Sequence, residues 1–206
     1  MADAEACGRI IALSATPTRA TLPVSVILVV LNGAKYIAAS LRSITRSRCQ
    51  PAEILVVDGN SSDDTRSIVA AHAGVTLIAQ RSQGIANAYN EGIACAGGAL
   101  IAFISHDDVW LDGKLDAQVA HLESHPQADC CVTHVEHVLE RGMTPPPGFR
   151  VGLLGHAVPG MIMECLMARR DVFDRVGGFD PTFAVSEDTD WFARARDLGV
   201  QLAVLM

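Results

Sequence analysis

From Val24 onward the chain alternates between apolar, β-branched runs and segments whose apolar residues recur every three or four positions. Val24-Ser-Val-Ile-Leu-Val-Val-Leu31 is nearly continuous in hydrophobic character, as expected of a strand buried on both faces of a parallel sheet. Asn32-Gly33 breaks it, and Ile37, Leu41 and Ile44 then mark one face of a helix predicted over 36–48. Glu53 to Val57, Val75 to Ala79 and Ala99 to Ile104 read as three further strands. Between them a helix capped by Asp63 is expected to run to His72, and another to cover 85–95.

This β-α-β-α-β-α-β order predicts an α/β fold whose right-handed crossovers build a mostly parallel sheet. In such sheets ligands bind beyond the carboxyl ends of the strands. The polar residues at those ends are Asn32, Asp58 and the group Ser105-His106-Asp107-Asp108. The second half is less regular. A helix is predicted over 114–124, a strand over 129–139, and a stiff loop at Gly142-Met-Thr-Pro-Pro-Pro-Gly148. Met161 to Ala168 reads as another apolar strand, followed by a short helix over 171–176 and a helix over 187–198. A final strand is expected from Val200.

Composition narrows the function. Half of the 206 residues are hydrophobic, enough to fill a core and to exclude a largely disordered chain. With 16 Lys+Arg against 23 Asp+Glu the net charge is −7, which argues against a nucleic-acid partner. A polyphosphate ligand would then be expected to arrive with a metal ion. Six cysteines follow no CxxC or zinc spacing and read as reduced, mostly buried thiols of a cytoplasmic protein. No apolar run approaches the ~20 residues of a membrane-spanning helix. Asp3 and Glu5 are unlike the basic start of a signal peptide, so residues 1–22 read as a flexible leader before one domain over 23–206.

Two acidic clusters carry the candidate chemistry. Asp107 and Asp108 follow a buried strand, and two charges about 4 Å apart repel by roughly 4 kcal/mol at an effective dielectric near 20. A hard divalent cation, Mg²⁺ or Mn²⁺, would relieve that repulsion. Capping of the following helix is the alternative. Glu187-Asp188-Thr189-Asp190 has the same two readings: acids favoured at a helix start, or a general base beside the partly apolar Trp191 and Phe192. His134 and His137 lie three apart on a predicted strand, on opposite faces, and do not form a chelating pair. No GxSxG, HExxH, P-loop or GxGxxG is present.

Five blocks in order, Val24 to Gly33, Glu53 to Thr65, Gly84 to Ile93, Ser105 to Asp108 and Glu187 to Trp191, with Gly177-Gly-Phe-Asp-Pro181 before the last, resemble family 2 glycosyltransferases. The resemblance implies a three-layer α/β/α GT-A (Rossmann-like) domain. It also implies transfer of a sugar from a nucleotide-diphosphate donor to an acceptor hydroxyl, usually with inversion. By position, Asp58 would help hold the base or ribose, Asp107 would contact the ribose side, and Asp108 would bind the divalent metal. Asp188 would be the general base, with Glu187 shaping the acceptor site.

The sequence departs from the family pattern at four places. Val29 and Leu31 stand where a polar residue and an aromatic are common, Gly59 where a second acid often follows Asp58, and Ser105 at the first acid of the metal motif. The last departure implies fewer protein ligands for the metal. Ending at Met206 suggests a domain truncated at its C-terminal edge. Two rival readings stay open, a non-catalytic GT-A-like binding or assembly module and a nucleotidyltransferase. The latter would need a basic Gly-rich loop where only Lys35 follows Asn32-Gly33-Ala34. The acceptor, whether a carbohydrate, a lipid-linked sugar or another hydroxyl, is unspecified. Association with the cytosolic membrane face is open but has no basic amphipathic helix behind it.

Overall fold

Alternation along one strand sets the layers of the molecule. In β1 (Val24–Val30), Val26, Leu28 and Val30 pack on one side of the sheet while Ile27 and Val29 pack on the other, and all are buried. The first side is covered by α1 (Ile37–Thr45), α2 (Thr65–Ala70) and α4 (Lys114–Ser124), through Ile37, Leu41, Ile44, Val69, Leu115 and Val119. The other is covered by α3 (Ile85–Cys95), α5 (Arg170–Val176) and α6 (Glu187–Asp197), through Tyr89, Val172, Phe173, Trp191 and Phe192. The result is the three-layer α/β/α arrangement. The computed structural model describes residues 23–206, and the predicted leader, with Cys7, lies outside the described residues.

The first four strands meet the expectation closely. β1 pairs in parallel with β2 (Glu53–Asp58) and β4 (Leu100–Ser105), and β2 pairs in parallel with β3 (Val75–Ala79). The register sets Val30 beside Asp58 and Val29 beside Ser105, so three strand ends close on one crevice.

The second half differs from the sequence reading in two strands. Only the end of the predicted 161–168 run is a strand, β7 (Leu166–Arg169), which reaches one residue beyond it; Met163–Cys165 forms a 3-10 turn ahead of it. β7 then inserts between β4 and β5 (Cys130–Glu136), antiparallel to both. A short β6 (Ala157–Pro159), which the sequence pattern did not predict, pairs with β5, as does the terminal β8 (Leu202–Leu205). Insertion of β7 carries the turn at 163–165 against the end of β4. Among the described residues no helix is long and apolar enough to cross a membrane.

Candidate active site

The crevice at these strand ends encloses about 650 Å³, a size that suits a small organic ligand. Val29, Leu31, Ile85 and Ala88 form an apolar wall, and Asn60, Gln80, Ser105, His106 and Asp107 contribute polar groups. Gln80 Nε2 donates to the carbonyls of Ser82 and Gly84, the latter at 2.7 Å. Its Oε1 takes no hydrogen bond from the described residues and would stand 3.1 Å from a Cβ at position 59.

Much of the Asp58–Thr65 block braces the crevice from behind. Asp58 is wholly buried: Arg66 Nε pairs with its Oδ2 at 2.9 Å, and the Ser61 amide donates to both carboxylate oxygens at 3.2–3.3 Å. Ser61 Oγ accepts from the Asn32 amide at 2.8 Å, Thr65 Oγ1 from the Gly33 amide at 2.9 Å, and Asp63 Oδ2 from the Ala34 amide at 3.0 Å. Asn32 Oδ1 returns the contact by accepting from the Ser62 amide at 2.9 Å. Asp63, the predicted cap, stands one residue ahead of the N-cap position Asp64 and accepts from the amides of Ala34 and of Thr65, the first residue of α2. Asn32 and Asn60 take positive φ, which Asn tolerates better than most residues.

The loop after β4 is held from α1. Ser40 Oγ bonds to the carbonyls of His106 and Asp108 at 2.7 and 2.6 Å, and Ser43 Oγ accepts from the Trp110 amide at 3.1 Å. Gly33 packs on the His106 ring so closely that a Cβ there would meet Cδ2 at 2.5 Å. Asp107 is exposed, with His106 Nδ1 at 3.9 Å. Asp108 has no ion-pair partner among the described residues. Loss of solvation, then the charges of Glu164 and Asp107, push its carboxyl up to about 7.

Glu164, which the sequence reading did not single out, faces this loop. It accepts from Ser105 Oγ at 2.6 Å and from Tyr89 Oη at 3.1 Å, both on Oε1. Glu187 lies next in the same field: burial, then Asp188 and Glu164, raise its carboxyl. Asp188 follows as the second residue of α6, its Oδ1 accepting from the Thr189 amide at 2.6 Å. Ser186, before them, holds a positive φ and makes no side-chain cap, so helix capping by Ser186 does not explain this cluster. Trp191 is not a wall of the site; it is buried against Phe173 and Phe179 and anchors α6. Asn90 further fixes the approach to α6 by pairing with the backbone of Phe179 in both directions at 2.8 Å. A Cβ at Gly178 would collide with Asn90 Oδ1.

Among the described residues no Lys or Arg forms an ion pair with Asp107, Asp108, Glu164, Glu187 or Asp188. Burial lowers the Lys114 ammonium to about 8, and its Nζ is engaged by Gln118 Oε1 at 2.9 Å and the Trp110 ring at 4.1 Å. No three His, Cys, Asp or Glu side chains among the described residues converge to hold a metal unaided. Asp107 at the crevice edge and Asp108 next to it are nonetheless hard oxygen donors, suited to a divalent cation that takes its other ligands from phosphate and water. His134 and His137 lie away from the crevice lining; His137 stacks edge-on against Phe149. Burial pushes the Cys130 and Cys131 thiols up to about 12, as expected of packing residues.

The layers and strand order describe a domain of the GT-A type, and comparison gives the family. Residues 25–177 match the family model "Glycosyl transferase family 2", and the chain belongs to that family. It is 34% identical over 100 residues to an Escherichia coli UDP-Glc:alpha-D-GlcNAc-diphosphoundecaprenol beta-1,3-glucosyltransferase, covering 47% of this chain and 40% of that one. It is 25% identical over 194 residues to an uncharacterized Mycobacterium tuberculosis protein, covering 88% of this chain and 56% of that one. S. aureus TarS in complex with UDP superposes with a TM-score of 0.72 at 19% identity, over 89% of this chain and 58% of that chain. The Pyrobaculum calidifontis mannosyltransferase in complex with GDP-Man and Mn²⁺ gives 0.67 at 20% identity, over 91% and 55%. The chain thus spans about half the length of the proteins it resembles.

Proposed function

We propose that this chain forms the donor-binding and catalytic core of an inverting glycosyltransferase that uses a nucleotide-diphospho-sugar and a divalent metal. The observation that supports this best is the contrast between the crevice and the acids beside its Ser105–Asp107 edge. The crevice wall offers an apolar surface and Gln80 Oε1 to a base, while next to that edge Asp108, Glu187 and their neighbours Glu164 and Asp188 lie within one another's fields with no Lys or Arg ion pair among the described residues. With no aromatic side chain on that wall, the base would lie on Val29, Leu31 and Ile85 and donate a ring N–H to Gln80.

Asp107, which is exposed, would contact the ribose side of the donor, and Asp108 would hold the metal. Asp58 acts on the donor through the 59–61 loop that it braces. A bound Mg²⁺ or Mn²⁺ would neutralise charge developing on the leaving diphosphate. Asp188 takes the proton from the acceptor hydroxyl as that oxygen attacks the anomeric carbon from the face opposite the diphosphate. Glu187, kept closer to neutrality by its burial and by its neighbours, borders the acceptor. The E. coli relative's name specifies a lipid-diphosphate-linked sugar; for this chain the acceptor class is a carbohydrate hydroxyl, free or lipid-linked. A cytoplasmic setting agrees with the unpaired thiols of all five described cysteines.

Calorimetry with UDP, GDP and dTDP, each with and without Mn²⁺, tests the reading. Metal-dependent binding of at least one nucleotide is expected. A folded protein that binds none of them would instead be a non-catalytic module on this fold.

A further inference from the structure

Ser105 occupies the position where the family motif commonly carries its first acid, yet a carboxylate does stand there in space. Glu164 is 59 residues away in sequence, and its Oε1 lies 2.6 Å from Ser105 Oγ. The contact is built rather than incidental. Met163 and Cys165, on either side of Glu164, are buried in the core. Tyr89, the second donor to Oε1, is 1% exposed and packed edge-on against Phe103 with centroids 5.4 Å apart. Both hydrogen bonds fall on one oxygen, and Oε2 has no partner among the described residues. The Asp108 amide in turn donates to the Ser105 carbonyl at 3.2 Å, so Ser105 joins the two acids, and among the described residues neither carboxylate has a Lys or Arg ion pair to offset its repulsion of the other. Repulsion of this kind inside a folded domain is relieved when a cation binds.

We infer that Glu164 supplies from the turn before β7 the negative charge that position 105 lacks, so that Asp108 and Glu164 together retain the divalent cation accompanying the donor diphosphate. Ser105 and Tyr89 act as positioning residues for that carboxylate. The inference rests on the donor–metal reading above and adds to it a residue outside the linear motif.

Glu164→Gln separates charge from structure, because the amide oxygen can still accept from Ser105 and Tyr89. Mn²⁺ binding in the presence of saturating nucleoside diphosphate, read from the paramagnetic resonance signal of free Mn²⁺, is expected to weaken about 10-fold or more. The thermal midpoint without metal should hold or rise. Ser105→Asp combined with Glu164→Gln returns an acid to the linear motif and is expected to bring Mn²⁺ affinity back to within about 3-fold of the original. Unchanged Mn²⁺ affinity in Glu164→Gln, with the unaltered protein binding normally, overturns this inference alone. So does an affinity loss that follows a fall in thermal midpoint and that the double variant does not recover. Absence of Mn²⁺ and nucleotide binding in the unaltered protein overturns the donor–metal reading itself.

Discussion

Two aspartates mark the ends of neighbouring parts of the sheet and meet opposite fates. Asp58, at the end of β2, is wholly buried and neutralised by Arg66 and the Ser61 amide. Asp108, just past β4 and next to the crevice residue Asp107, has no ion-pair partner among the described residues, and Glu164 and Asp107 add to its charge burden. The β1–β2 end of the molecule therefore satisfies its own polar groups, as buried polar groups must be. The β4–β7–α6 end leaves carboxylates without an ion-pair partner among the described residues, an arrangement that costs stability and suits a cation and proton-transfer site. Acids in the first region hold the backbone; acids in the second are available to ligands.

The sharpest way to break this contrast is at Asp188. Asp188→Asn should lower turnover by about 10²–10⁴-fold while nucleotide binding stays nearly unchanged. Steady-state kinetics paired with calorimetry checks this, and loss of donor binding would move Asp188 to the donor side.

Asp58→Asn should act on stability. Losing a charged acceptor beneath Arg66 and Ser61 is expected to cost about 1–3 kcal/mol in urea unfolding, with donor affinity falling only as the 59–61 loop loosens. A neutral result would show that Arg66, which is half exposed, does not depend on the pair.

Asp108→Asn should have the smallest effect and the opposite sign, a gain of about 0.5–1 kcal/mol without metal at pH 8, after allowance for solvent screening. The pH dependence follows from the raised carboxyl. Its folded-state value of about 7 lies above the ordinary 3.8, so the folded protein holds the proton more tightly than the unfolded chain. Stability from this group is full below about 4 and is lost as pH rises through about 7. Thermal melts of the two proteins should coincide at low pH and separate across that window.

Legibility in the sequence followed the range of the interactions. The four parallel strands and their helices were readable because period and β-branching are local properties. The acids at 107, 108, 187 and 188 were readable as motif positions, and the crevice was implied by the strand ends. That Asp58 faces inward was not readable, since nothing near it in sequence announces that Arg66 folds back onto it. Glu164 was missed for a related reason. Its one local signal was a lone carboxylate inside the apolar run Met161 to Ala168, which the strand reading absorbed.

By itself, the sequence determined the layered α/β fold, the crevice at the strand ends and the two acidic clusters, because each is written in residues close together. Tertiary structure alone decided which carboxylates are neutralised and which remain free. That decision depends on β7 pairing antiparallel between β4 and β5, a contact between distant segments that brings Glu164 against Ser105. Electrostatic environment is a property of such non-local neighbours.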